Sequence, residues 1–102
     1  MKFYIKHSMT GRLRVHMDMK HMSFKQADIL EYYIKNIETV TSVKVYEKTC
    51  DAVIEFKGDK AQIINELKHF TYSQVVVPED VLNSSGREMN SYYQDKLVNK
   101  VF

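Results

Sequence analysis

Cysteine is almost missing from this chain: Cys50 is the only one. A single thiol closes no internal disulfide and forms no CxxC clip for a soft metal. A reducing compartment is the simplest setting for it. Long apolar runs are missing too. Nothing approaches the roughly 20 residues that cross a bilayer, and the N-terminus has no apolar stretch of signal-peptide length. The chain is expected to be soluble and cytoplasmic, or a soluble fragment of a larger membrane protein. Gly11 has no glycine-rich context, so it makes no phosphate loop. No ATP-binding or phosphorylation motif occurs, and no nucleophile, base and orienting group stand together. Cys50 and Asp51 fall in an expected hairpin turn, far in sequence from most of the histidines. The chain is read as no enzyme. A net charge of +2 and scattered tyrosines argue against nucleic acid.

What the chain has is concentrated between residues 7 and 22. His7, His16 and His21 lie there, with Met9, Met17, Met19 and Met22 and the pair Arg12 and Arg14. Residues 1–22 also carry Lys2, Lys6 and Lys20 against Asp18 alone. Local positive charge of this kind suits an anion or an acidic protein surface.

A length of 102 residues supports one compact domain. Residues 3–7 alternate and are rich in β-formers, which predicts a short strand. Residues 8–11 read as a turn. Residues 12–17 alternate again, with Leu13, Val15 and Met17 toward a core and Arg12, Arg14 and His16 on the other side. After a loop over residues 18–22, Ser23 with Gln26 has capping-box spacing. Ala27, Leu30, Ile34 and Ile37 then recur at helical spacing, flanked by Tyr33. Residues 40–47 predict a strand with Val43 and Val45 on one side. A turn over residues 48–51 joins it to a strand over residues 52–56. Gly58 and Asp59 stop that strand and cap a second helix, with Ala61, Ile64 and Leu67 as its buried stripe and Ile63 beside it. Residues 74–77 predict a last strand, which Pro78 ends because proline cannot donate to a ladder.

The expected order is βαββαβ with an additional short N-terminal strand. That is an α+β, ferredoxin-like sandwich with both helices on one face of the sheet. It places Arg12, Arg14 and His16 on the open face. Residues 1–78 form this domain. Residues 79–102 are a linker and a C-terminal helix, in which Met89, Tyr93, Leu97 and Val101 recur every four residues after Ser85 and Glu88 at capping-box spacing. That helix could pack on its own chain or support a homodimer.

Lys6-His7-Ser8, Gly11-Arg12-Leu13-Arg14, Leu30-Glu31 in the first helix and Val40-Thr41-Ser42-Val43 are similar to a known pattern. Together they resemble the heavy-metal-associated-like domains near the N-termini of bacterial P1B-type metal-transporting ATPases, in the branch without CxxC. Residues 85–97 are similar to the helix that leads toward the first membrane segment of such pumps. The resemblance covers nearly the whole chain. It implies a ferredoxin-like fold and a non-catalytic regulatory or metal-delivery role, with the ATPase core as partner. Some relatives are iron pumps, including those of iron-storing ferrosomes. Where the better-known domains place GMxCxxC, this chain has Met17-Asp18-Met19-Lys20-His21-Met22-Ser23, so the thiolates that grip Cu(I) or Zn(II) are gone.

Two functional readings follow. In the first, His16 and His21 bind a transition metal, with Met17, Met19, Met22 and His7 as further candidates. Imidazoles suit many first-row metals and thioethers suit Cu(I); the resemblance favours iron. Haem, with propionates on the arginines and His16 or His21 as axial ligand, is disfavoured, because this composition permits it without indicating it. In the second, the chain binds no metal and docks an acidic partner through Arg12, Arg14 and His16, since arginine forks onto carboxylates.

Overall fold

The computed structural model describes residues 1–78. The proposed C-terminal helix lies outside these residues. The elements are β1 (Phe3–Met9), β2 (Arg12–Met17), α1 (Phe24–Lys35), β3 (Val40–Tyr46), β4 (Asp51–Phe56) and α2 (Ala61–His69). A single 3-10 turn, Tyr72–Gln74, follows. They build a small α+β domain with a four-stranded antiparallel sheet in the order β1-β2-β4-β3. Among the described residues no helix is long and apolar enough to cross a membrane.

The core lies on one face of the sheet. Leu13, Val15 and Met17 of β2 point into it, as alternation predicts, with Val45 of β3 and Ala52, Ile54 and Phe56 of β4. Ala27, Leu30 and Ile34 of α1 and Ile63 and Leu67 of α2 cover them. Burying each of the larger aliphatic side chains contributes roughly 1.5–3 kcal/mol relative to exposure. Phe70 seals the end of α2, with its ring 4.8 Å from those of Tyr33 and Tyr72. The Tyr33 hydroxyl donates to Glu66 and so ties α1 to α2.

The helix starts follow from local chemistry. The Ser23 hydroxyl oxygen accepts from the Gln26 amide at 3.0 Å, and the Gln26 side chain accepts from the Ser23 amide at 2.9 Å. The reciprocal box satisfies two backbone donors that a helix N-terminus leaves without partners. Asp59 accepts from the Ala61 amide at the start of α2. The buried pair on α2 is Ile63 and Leu67; Ile64 is half-buried and Ala61 exposed. The expected stripe of Ala61, Ile64 and Leu67 was therefore rotated by about one position.

The expected last strand over residues 74–77 does not form. Residues 75–78 lie outside the sheet, and Val76 is exposed. The place beside β2 is taken by β1, which runs two residues beyond the expected end and turns back through Thr10 and Gly11 alone. A two-residue connection costs far less closure entropy than a pairing some sixty residues away. Gly11 makes the turn feasible, because its φ of +76° is left-handed backbone that favours glycine.

Candidate functional site

The other face of the sheet carries no helix among the described residues, and its register arranges side chains in rows. Tyr4, His16, Asp51 and Tyr46 stand opposite one another across β1, β2, β4 and β3. His7, Arg14, Val53 and Lys44 make the next row. Met9, Arg12, Glu55 and Ser42 make the third. A bulge in β1 inserts Lys6 between the first two rows. An inserted residue of this kind re-aims its side chain locally, and the Lys6 ammonium reaches Asp51.

Asp51 is the centre of this face, and it is 0% exposed. Its Oδ1 is 2.7 Å from His16 Nδ1. Its Oδ2 accepts from Lys6 Nζ at 3.0 Å and from Arg14 through Nη2 at 2.9 Å and Nε at 3.3 Å. Burial by itself would push the carboxyl pKa up. The hydrogen bonds from His16, Lys6 and Arg14, with the Lys6 charge, outweigh burial and hold it at about 2. At neutral pH Asp51 is therefore an anion and accepts only. It follows that His16 Nδ1 carries the shared proton, which leaves Nε2 turned away from the carboxylate. The Tyr4 ring lies over the His16 ring at 4.9 Å. Lys44 lies over Tyr46, 5.6 Å from the ring centre.

Local backbone sets this geometry. The turn between β3 and β4 closes at Cys50, whose φ of 59° is left-handed although it is not glycine. Cys50 is buried, and its carbonyl accepts from the Met17 amide at 2.8 Å. Burial, and then the neighbouring Asp51 charge, push the thiol pKa up. β4 thus begins with Asp51 paired to His16, one residue earlier than the sequence suggested.

The residues picked from sequence divide between environments. Arg12, Arg14, His16 and His7 share the open face. Met17 is 0% exposed on the opposite side of β2, and Met22 is also a core residue. Met19 is half-buried, and its sulfur accepts from the Tyr72 hydroxyl at 3.6 Å. His21 is exposed on the connection between β2 and α1. Met17 and Met22 thus fill the core and do not line an open loop. Among the described residues no group of three or more His, Cys, Asp or Glu side chains is placed to hold a metal ion.

Arg12 and Arg14, paired in sequence, differ in their bonds. Arg14 is held by Asp51, whereas Arg12 makes no hydrogen bond or ion pair within the described residues. Asp51, Tyr4 and Tyr46 were missed from sequence, and Lys6 was read only as part of the basic N-terminal stretch. Asp51 looked like a turn residue, and its distance in sequence from His16 hid the pairing. The one available signal was alternation, which sets Asp51, Val53 and Glu55 opposite to Ala52, Ile54 and Phe56.

The chain matches no family model, no curated protein and no solved structure. The resemblance to heavy-metal-associated-like domains rests on the quoted residues alone.

Proposed function

We propose that this chain is a non-catalytic docking or regulatory module that binds an acidic protein surface with the open face of its sheet. The observation that carries the reading is the composition of that face. Lys6, Arg12, Arg14 and Lys44 stand against Asp51 and Glu55, and Asp51 is already enclosed by its own cations. The exposed Tyr4, Met9 and Tyr46 are on the same face. Tyr, Met and Arg are the residues that interfaces concentrate, because they combine apolar area with polar recognition. The resemblance supplies the partner: the core of a P1B-type ATPase, in iron handling. The ferredoxin-like sandwich is part of the same proposal. It has both helices on one face, with β1 at the edge where a last strand was expected.

The test is an amide NMR titration of the full chain with the purified cytosolic core of such an ATPase. Shifts should map to Tyr4, Lys6, Arg12, Lys44 and Tyr46, spare α1 and α2, and weaken with salt. Shifts confined to the helix layer would sink the reading.

A second reading is supported by the His16–Asp51 pair. A carboxylate on one ring nitrogen is the usual outer partner of a metal-ligating histidine, and it leaves His16 Nε2 open. Lys6 and Arg14 beside it work against a cation, which ranks this reading second. Anaerobic titration with Fe(II), Cu(I) and Zn(II) separates the two. Saturable binding lost in both His16→Ala and His21→Ala would establish the metal site; no binding by the folded chain would remove it.

A further inference from the structure

A cleft of about 320 Å³ opens on the same face, lined by His7, Met9, Arg12, Arg14 and Val53. Its walls are of two kinds. Met9 and Val53 offer apolar surface. The His7 imidazole and the two guanidinium groups offer donors. Arg14 is anchored: Nε and Nη2 are both committed to Oδ2 of the buried Asp51, which fixes the plane of the guanidinium. Arg12 and His7 make no hydrogen bond or ion pair among the described residues, and Glu55 faces Arg12 across β2 and β4 without closing an ion pair. The cleft therefore combines a fixed cation, a free one and a free imidazole with the apolar surface of Met9 and Val53.

We infer that this cleft is a carboxylate-binding subsite, shaped for a glutamate-type side chain whose methylenes lie on Met9 and Val53 while its oxygens meet Arg12. The inference rests on the docking reading for its natural occupant, an acidic segment of a protein partner. Carboxylate geometry favours this ligand. The free Arg12 presents a planar fork that takes two oxygens at once. The apolar walls have no use for a bare inorganic anion. Arg14, held in place, adds charge without losing side-chain freedom on binding, and so lowers the ordering cost. Arg12 and Arg14 are two residues apart on one strand, so both side chains rise from the same face at one strand repeat.

The experiment uses the full chain and two carboxylate probes, butyrate and acetylated hexaglutamate, with inorganic phosphate as the comparison anion, followed by NMR of backbone amides and arginine Nε–H groups. Both probes should shift His7, Met9 and Arg12 saturably. Arg12→Gln should weaken hexaglutamate roughly tenfold, the loss of one forked charge-assisted contact. Glu55→Gln removes the opposing carboxylate, and it should tighten both probes about two- to threefold. Neither substitution touches the core, so fold loss does not confuse the result. Hexaglutamate binding that is weakened by Tyr46→Ala and unchanged by Arg12→Gln would overturn the cleft while leaving the docking reading intact. Saturable butyrate without peptide binding would support the cleft and overturn the docking reading. Tighter binding of inorganic phosphate than of butyrate would overturn the assignment to carboxylates. Linear, non-saturating shifts spread over all basic residues would overturn the site altogether.

Discussion

Asp51→Asn is the most informative single substitution in this domain. Asparagine keeps the size of the side chain and loses its charge. The carboxyl falls from an ordinary value of 3.8 to about 2 in the folded chain. At about 1.4 kcal/mol per pH unit, that drop is on the order of 2 kcal/mol favouring the folded state when Asp51 is ionised. Lys6 and Arg14 are partly exposed and can turn to water in the variant, so the cost stays below the roughly 3–5 kcal/mol of a fully buried pair broken on one side. We expect Asp51→Asn to lose about 2–3 kcal/mol at pH 7, a large share of the roughly 5–10 kcal/mol available to a domain of this size. The pH dependence supplies the sign. A carboxyl whose folded pKa is depressed contributes fully above its ordinary value, and the contribution fades as pH falls toward the folded value. The gap between wild type and variant should therefore close between about pH 5 and pH 2. Urea unfolding followed by far-ultraviolet circular dichroism at pH 7, 5, 3 and 2 measures it. A variant within 0.5 kcal/mol of wild type at pH 7, or a gap unchanged at pH 2, would refute the reasoning.

The neighbouring arginines should separate in the same assay. Arg14→Ala should cost roughly 1–2 kcal/mol, because it removes two bonds to a buried carboxylate, while Arg12→Ala should change stability by less than about 0.5 kcal/mol. Leu67→Ala, at a position 0% exposed, should cost about 2–5 kcal/mol through lost burial and the cavity left behind. Ser23→Ala breaks the reciprocal box on α1 and should lower the urea midpoint by the equivalent of about 1 kcal/mol. Cys50 is buried, with its thiol pKa pushed up by burial and by Asp51. Less thiolate is thus present at any pH below that value, and Ellman's reagent at pH 8 should react slowly with folded chain and rapidly in 6 M guanidinium.

Much of the scaffold was legible in the residues themselves. Alternation in residues 12–17 assigned Leu13, Val15 and Met17 to the core and Arg12, Arg14 and His16 to the open face, because a strand has a side-chain period of two. The Ser23–Gln26 spacing located the start of α1, because capping is a contact within one turn. These features are local, and a sequence records local physics directly. The edge of the sheet was not legible. Residues 74–77 have strand composition, yet β1 holds the position beside β2. Strand composition says that a segment can pair; competition for an edge decides whether it does. Asp51 was hidden for the same reason. Residues His16 and Asp51 become neighbours only when β2 and β4 align in one register, and the bulge at Lys6 then brings a third partner. The sequence alone determined where the cations are and which side of β2 Arg12, Arg14 and His16 occupy. Only the tertiary structure decided that one buried carboxylate would gather three of the basic side chains and leave Arg12 free, because register and burial are properties of the assembled sheet.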